Sequence, residues 1–213
     1  MKIDFVSDVS CPWCIIGLKS LQQALARMPE LPVNLHFQPF ELNPQMEPEG
    51  EEIEAHLTRK YGSTLQQRTQ IREAIRQRGE ALGFTFTTGA RDRIYNTFDA
   101  HRLLHWAGEL DPAKQLALKL ALFGAYFTEG KNPGDHALLL ERAVAVGLPE
   151  DEARALLASD RYAAEVRETE SFYQRAGIHS VPAVIINDQH LISGGQPPEV
   201  FEQALRQIAA AAA

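Results

Sequence analysis

The two cysteines of this 213-residue chain lie three positions apart, in the stretch Ser10–Cys14, which reads SCPWC. Just before them, residues 2–7 (KIDFVS) have the short apolar pattern of a strand. After the first cysteine, apolar side chains recur in steps typical of one helix face, at Cys14, Leu18, Leu21, Leu25 and Met28. The pair therefore lies where a predicted strand gives way to a predicted helix, and the fold has to place both thiols at the start of that helix.

A second strand follows this helix. Residues 33–37 (VNLHF) alternate between apolar and polar side chains, with Val33, Leu35 and Phe37 on one face. A strand, a helix and a strand in close succession predict a βαβ unit, whose two strands run parallel and whose crossover is right-handed. The N-terminal part of the chain is therefore predicted to be an α/β unit.

The remainder of the chain first turns helical and then returns to β structure. Within the helical part, residues 116–127 are apolar on most sides, which predicts a buried helix. Residues 183–187 and 190–193 predict a hairpin, and the Pro197–Pro198 pair opens a last helix. This order, βαβ, helical block and ββα, predicts one four-stranded mixed sheet with helices packed on it.

We therefore predict two domains in an α/β fold. Residues 1–48 and 177–213 form a discontinuous domain around the sheet, and residues 49–176 form a large all-helical insertion. The insertion joins the two halves of the outer domain, because it leaves the first half after its second strand and returns before the hairpin.

The charge balance disfavours several classes of partner. The chain has 21 Lys and Arg against 28 Asp and Glu, a net charge of −7, and no basic tail, so nucleic acid and anionic membranes are not expected to bind. No apolar stretch approaches the ~18–20 residues of a membrane span. The N-terminal MKIDFVSD lacks the apolar core of a secretory signal, which predicts a cytoplasmic protein. A structural disulfide is disfavoured in that reducing compartment, so the cysteines require another purpose.

The Cys-Pro-Trp-Cys motif suits thiol–disulfide exchange. Unpaired N–H groups and the positive end of the dipole at a helix N-terminus stabilise a thiolate, so Cys11 is the predicted nucleophile that forms a mixed disulfide with a substrate. Cys14, one turn further on, is the predicted resolving thiol. Pro12 fixes φ at the first helical position, and Pro12 and Trp13 are predicted to form part of the substrate-docking surface.

Two other readings of the cysteine pair are weaker. A zinc site needs about four ligands, and the chain has no second cysteine pair, while the nearest histidine, His36, lies on a strand face. His101 and His105 have metal-ligand spacing on a helix but lack an obvious third ligand. A buried, inert pair of cysteines is the remaining alternative. We expect no metal and no bound cofactor.

The second signal is the stretch HSVPAVIIN, in which Val181 and Pro182 open a strand. Only ~5–6% of X-Pro bonds in folded proteins are cis, so the position alone favours an ordinary trans proline. The position of Pro182 at the start of the first strand of the ββα unit changes this interpretation.

With this proline, the cysteine motif and the helical insertion, the chain resembles the DsbA family of the thioredoxin superfamily, and within it the FrnE-like dithiol–disulfide oxidoreductases. The stretches that carry the likeness are SDVSCPWCIIG, NTFDAHRLLHWA, AYFTEG, GIHSVPAVIIN and SGGQPPEVFEQAL.

This resemblance implies further site residues. It implies that Pro182 is cis and packs against the cysteine turn, and that the backbone of Val181 pairs with an extended substrate segment. It also implies that Asn96 and His101 line the active site across the gap between the domains. The typical periplasmic loop is Cys-Pro-His-Cys, whereas Trp13 replaces the histidine here, which favours a couple less oxidising than about −120 mV.

Three functions are compatible with the sequence. The first is a thiol–disulfide oxidoreductase or isomerase that acts on protein or small-molecule substrates and exchanges electrons with glutathione or a thioredoxin-type system. The second is a glutathione-dependent isomerase or transferase of the hydroxychromene carboxylate isomerase or kappa type; the members we compare carry serine at the position of Cys11. The third is a non-enzymatic, redox-sensing binding module. The sequence leaves the substrate and the oligomeric state open.

Overall fold

The computed structural model describes residues 1–211. The strands of this part of the chain are β1 (Lys2–Ser7), β2 (Asn34–Pro39), β3 (Glu51–Glu52), β4 (Arg93–Ile94), β5 (Ala183–Ile186) and β6 (His190–Ser193). Four of them form a mixed sheet in the order β2-β1-β5-β6. β1 pairs parallel with β2 and antiparallel with β5, and β6 completes the hairpin with β5. The predicted four-stranded mixed sheet is therefore present.

Nine α-helices and one π-helical turn lie within the described residues. They are α1 (Pro12–Ala26), α2 (Ile53–Tyr61), α3 (Leu65–Ala81), α4 (Phe98–Leu110), α5 (Pro112–Phe123), the π-helical turn (Gly124–Thr128), α6 (His136–Ala145), α7 (Glu150–Leu157), α8 (Ala163–Arg175) and α9 (Pro198–Ala211). Helices α1 and α9 pack together on the sheet, and α4, α5 and α8 approach β2. None of these helices combines the length and the apolar character that crossing a bilayer requires.

Two hydrophobic cores hold the molecule together. The first joins the sheet to α1 and α9, and it also takes in Phe123, Tyr126 and Phe127 from the helical region. The second lies among α4 to α7 and includes Val9, which belongs to the loop before the cysteines. Because each core draws residues from both predicted domains, burial of apolar surface ties the cysteine loop to the insertion.

The predicted domain boundaries at 48/49 and 176/177 stay a prediction, and residues 212 and 213 of the predicted segment 177–213 lie outside the described residues. The prediction of an all-helical insertion needs one correction. β3 and β4 lie inside it and form a two-stranded antiparallel ladder, with Glu51 opposite Ile94 and Glu52 opposite Arg93. Each strand is only two residues long, so neither shows the alternation from which a strand is predicted.

Gly130, in the predicted insertion, tests how much close packing against the main chain of Ala90 contributes to stability. Gly130 has a φ of +71°, and a Cβ built there would lie 1.9 Å from the carbonyl oxygen of Ala90. We expect Gly130→Ala to lower the free energy of unfolding by more than about 2 kcal/mol, because backbone strain and a clash with main chain add together. Urea titration measures this change.

Gly62 provides the matched control for this variant. It also has a positive φ, +61°, but nothing lies within 4 Å of a Cβ built there. Gly62→Ala carries only the conformational penalty, about 1 kcal/mol. Equal losses in the two variants would show that the close approach to Ala90 contributes nothing.

Candidate active site

The two cysteines lie at the start of α1, Cys11 as the residue before the helix and Cys14 in its first turn. Cys11 precedes the helix in an extended conformation, and Pro12 takes the first helical position. The N–H of Cys11 donates to the carbonyl oxygen of Asp8 at 3.2 Å, and the N–H of Cys14 donates to the carbonyl oxygen of Cys11 at 3.1 Å. The main chain therefore holds the turn, and Cys11 lies at the positive end of the helix dipole.

The two thiols differ in exposure. Both cysteines are free; Cys11 is 4% exposed and Cys14 is 0% exposed. The Cys11 thiol donates to the carbonyl oxygen of Val181 across a Sγ–O distance of 3.6 Å. The peptide bond between Val181 and Pro182 is cis. Cys11 is therefore the thiol nearer to an incoming substrate, and it faces the segment that the sequence predicts to bind one.

Pro182 packs directly on α1. A Cβ built at Gly17 of this helix would lie 3.0 Å from Cγ of Pro182, and a Cβ built at Gly195 would lie 2.9 Å from the carbonyl oxygen of Trp13. The absence of side chains at Gly17 and Gly195 lets the proline and the loop between β6 and α9 close around the cysteine turn.

Trp13 connects the cysteine turn to the insertion. Its indole is partly buried, and the guanidinium of Arg78 lies 5.4 Å from the ring centroid. Nη1 of Arg78 also donates to the carbonyl oxygen of Gly195 at 3.4 Å. Helix α3, which carries Arg78, thus borders the same surface as Pro12 and Trp13, and a substrate that reaches Cys11 meets residues of both predicted domains.

The interior of the site disfavours a thiolate at Cys14. Burial raises the pKa of the Cys14 thiol well above its usual range, and the adjacent Cys11 raises it further. The N–H of Asp8 and the charge of Lys119 act in the opposite direction. Cys14 therefore stays protonated until a reaction step requires its proton to leave.

Asp8 is a buried carboxylate in the loop between β1 and α1. Its Oδ1 accepts from the N–H of Ser10 at 2.9 Å, and its Oδ2 accepts from the N–H of Leu42 at 2.7 Å. Burial alone would raise the pKa of this carboxyl, but the neighbouring His101 imidazole and the two N–H groups together lower it. The loop that precedes Cys11 is thus anchored by an ionised side chain.

Comparison with known proteins identifies the family to which this arrangement belongs. The family model described as the DSBA-like thioredoxin domain matches residues 2–206, nearly the entire chain. The chain belongs to the DSBA-like thioredoxin domain family. The predicted membership of the DsbA family and the predicted thioredoxin-like fold are confirmed.

Solved structures agree with this assignment. A probable DsbA oxidoreductase from Streptomyces coelicolor is 35% identical, with a TM-score of 0.90, and the match covers 97% of this chain and 89% of that one. The 2-hydroxychromene-2-carboxylate isomerase structure is 15% identical, with a TM-score of 0.70 and coverage of 98% and 96%. The cytosolic disulfide reductase DsbM from Pseudomonas aeruginosa, solved with GSH, is 20% identical, with a TM-score of 0.67 and coverage of 99% and 100%. The last two show a shared fold.

The two further residues expected from the DsbA resemblance have different surroundings. Nδ2 of Asn96 donates to the carbonyl oxygen of Met46 at 3.1 Å, and its Oδ1 accepts from the N–H of Phe98 at 2.8 Å, so its amide supports the start of α4. His101 is buried, and its Nε2 lies 3.7 Å from Oδ1 of Asp8. His101 thus lies beside the cysteine loop, and the role of either residue in lining the active site stays a prediction.

Lys119 and Asp8 are residues of this DSBA-like site that the sequence patterns did not indicate. Lys119 lies on α5 and is 1% exposed. Burial lowers the pKa of its ammonium to about 8, although the charges of Cys14, Asp8 and Cys11 oppose this change. The available signal was a single charged residue within the apolar stretch 116–127. The helical period alone does not reveal that such a charge is buried.

The described residues also bear on metal binding. Within residues 1–211, no group of three or more His, Cys, Asp or Glu side chains is arranged to hold a metal ion. His105, one turn from His101, instead has its Nε2 3.7 Å from a carboxylate oxygen of Glu109.

Proposed function

We propose that this protein is a dithiol–disulfide oxidoreductase in which Cys11 attacks and Cys14 resolves. The observation that carries the proposal is the asymmetry of the pair at the start of α1. Cys11 has access to the surface opposite Val181, whereas Cys14 is fully buried in the same turn. An attacking thiol requires access to the substrate, and a resolving thiol requires only access to the first sulfur.

The reaction balances with the groups of the site. The Cys11 thiolate attacks one sulfur of a substrate disulfide, forms a mixed disulfide and releases the first substrate thiolate. The Cys14 thiolate then attacks the sulfur of Cys11 and releases the second. The substrate gains two electrons and two protons as two thiols, and the protein becomes the Cys11–Cys14 disulfide. The reverse sequence oxidises a dithiol.

The substrate-binding surface is proposed from the same geometry. Pro12, Trp13, Val181 and Pro182 surround the turn that carries Cys11. An extended segment next to Val181 would make main-chain hydrogen bonds as an added strand, which tolerates many side chains. This mode suits a disulfide-containing peptide or protein, and it also admits a small peptide disulfide such as oxidised glutathione.

The charge of the residue beside Cys11 and the fold shared with a disulfide reductase bear on the direction of the reaction and on its electron source. Trp13 carries no charge beside Cys11, whereas the histidine of the typical periplasmic loop supplies a positive charge when protonated, so we propose a couple less oxidising than about −120 mV. The disulfide reductase solved with GSH shares this fold, and we propose glutathione or a thioredoxin-type system as the reductant. We propose a FrnE-like, cytoplasmic enzyme that acts as a reductase or an isomerase.

A direct assay separates this function from its alternatives. We expect the reduced protein to reduce a disulfide-bonded peptide and to turn over when excess glutathione is supplied. Mass spectrometry follows the loss of peptide disulfide, and the uncatalysed reaction with glutathione is the baseline. No acceleration, together with glutathione-dependent isomerisation of a carbon–carbon double bond, would favour the isomerase. Retention of the peptide without any turnover would favour the redox-sensing module.

A further inference from the structure

Arg78, in the last turn of α3, carries an exposed guanidinium that the proposed reaction does not yet use. In the part of the chain that the structure describes, its side chain forms no ion pair, and its one hydrogen bond, from Nη1 to the carbonyl oxygen of Gly195, is long at 3.4 Å. The other three arginines of this helix pair with glutamates, Arg68 and Arg72 with Glu54, and Arg76 with Glu73 and Glu80. Arg78 is thus unpaired in a chain of net charge −7, in which carboxylates are in excess.

The backbone that carries Arg78 is fixed against the first hydrophobic core. The next residue, Gly79, is buried, and a Cβ built there would lie 2.5 Å from the ring of Phe86. The carbonyl oxygen of Gly79 accepts from the N–H of Phe84 at 2.8 Å. Phe84 and Phe86 pack against the core to which both cysteines belong. The last turn of α3 therefore presents its arginine from a fixed position relative to the thiols.

Two contacts place the guanidinium of Arg78 at the cysteine turn. Its Cζ lies 5.4 Å from the ring centroid of Trp13, within the range of a cation–π interaction. Its hydrogen-bond acceptor, Gly195, approaches the same residue, since a Cβ built at Gly195 would lie 2.9 Å from the carbonyl oxygen of Trp13. Trp13 is two residues from Cys11, so their Cα atoms are at most about 7.6 Å apart. The guanidinium therefore borders the surface around the attacking thiol.

The loop that accepts from Arg78 also contacts the cis-proline. The N–H of Gly194 donates to the carbonyl oxygen of Pro182 at 2.8 Å, and Gly195 follows it directly. One loop thus joins the two sides of the proposed substrate surface, Pro182 on one side and Trp13 on the other, and the guanidinium of Arg78 lies on the Trp13 side.

We propose that Arg78 binds a carboxylate of the substrate and makes the enzyme prefer disulfides with a negative charge near the cysteine. The inference rests on the proposed dithiol function and adds a substrate class. An arginine has five N–H donors, and the bond to Gly195 uses one, so donors remain for a carboxylate. Two extended residues span about 7 Å, which places the carboxylate one or two residues from the substrate cysteine. Arg78 is a specificity-determining residue, since it contacts the substrate away from the reacting sulfurs.

Peptide disulfides that differ by one charge test the proposal. The first pair is the disulfide-linked dimer of Gly-Cys-Gly with C-terminal carboxylates or with amides, and the second is the dimer of acetyl-Gly-Cys-Glu-amide or acetyl-Gly-Cys-Gln-amide. Stopped-flow mixing with the reduced protein gives the second-order rate constant for each, which is divided by the rate constant with dithiothreitol. We expect the wild type to prefer the carboxylate in at least one pair by about three- to fivefold, as for an exposed ion pair. The pair that responds identifies a C-terminal or a side-chain carboxylate.

Three measurements assign this preference to Arg78. In Arg78→Gln, the carboxylate peptide should react no faster than its uncharged partner, whereas Arg78→Lys should retain part of the preference because it keeps the charge without the planar fork. The matched control is Arg76→Gln, which removes the same charge two residues away, from an arginine paired with Glu73 and Glu80, and should keep the full preference. Added salt should reduce the preference of the wild type, a test that requires no variant. Urea unfolding checks that each variant is folded.

The outcomes separate the inference from the proposed function. A wild type that reduces both members of each pair equally well would overturn the carboxylate site. A folded Arg78→Gln protein that keeps the preference, even if it is slower with all four peptides, would reduce Arg78 to a structural role and would also overturn it. Equal loss of the preference in Arg76→Gln would attribute it to overall charge, with the same consequence. Failure of the wild type to reduce any of the four peptides would instead refute the dithiol function itself.

Discussion

Replacement of Cys11 by serine is expected to abolish disulfide exchange. The hydroxyl of serine is a far weaker nucleophile than a thiolate, and the fully buried Cys14 does not reach a substrate. We expect the rate of peptide disulfide reduction by Cys11→Ser to fall by at least about a thousandfold. Single-turnover measurements with the disulfide-bonded peptide provide the rate.

Two controls check that Cys11→Ser is folded and that it retains one thiol. Alkylation after unfolding should label one cysteine in Cys11→Ser, and the free energy of unfolding should change by no more than about 1 kcal/mol, because the substitution is nearly isosteric. A well-folded Cys11→Ser protein with wild-type exchange would contradict the assignment of the nucleophile.

The complementary variant, Cys14→Ser, is expected to trap the intermediate. Cys11 remains reactive, but no thiol is left in the same turn to attack the mixed disulfide. We expect near-stoichiometric accumulation of a covalent adduct between Cys11 and the substrate thiol, stable in the absence of an added thiol and released by a reducing agent. Intact mass spectrometry detects the adduct and peptide mapping locates it.

The wild type is the reference for this trap, since it should pass through the same adduct without accumulating it. An adduct that forms equally in the wild type and in Cys14→Ser would show that Cys14 does not resolve. In that case a monothiol chemistry, as in a glutathione-dependent enzyme, would describe the site better.

Much of the fold could be predicted because its signals are local. The alternation in residues 33–37, the helical spacing after Cys14 and the tight turn between β5 and β6 all operate over a few residues. The cysteine pair was recognisable for the same reason, because two thiols one turn apart at the start of a helix have a chemical meaning without any tertiary context.

The remaining features depend on contacts between distant parts of the chain. β3 and β4 exist because Glu51 meets Ile94 across more than forty positions, and two residues do not produce a periodic pattern. The end of α5 is similar. The stretch 116–127 was predicted to be one buried helix, but α5 ends at Phe123 and a π-helical turn follows.

The charged interior of the site was hidden for a related reason. A lysine in an amphipathic helix normally lies on the solvated face, and only tertiary packing buries the side chain of Lys119. Glu41 and Glu170 are buried in the same way, and both share the guanidinium of Arg167, which lies over the ring of Phe98 at 3.8 Å from its centroid. Burial raises the pKa of each of these two carboxyls. The amino-acid sequence shows which charged residues are present, but it does not show which of them are buried.

The most direct test of the account is a redox titration of the wild-type protein against glutathione. The protein is equilibrated at defined ratios of reduced to oxidised glutathione, and each sample is then quenched with acid. Intact mass spectrometry measures the mass of the protein in each sample. We predict a reversible transition between a dithiol and a species lacking two hydrogens, the Cys11–Cys14 disulfide, at a potential between about −280 and −120 mV. A protein that stays reduced throughout, or that acquires only a stable glutathione adduct on Cys11, would contradict the dithiol mechanism.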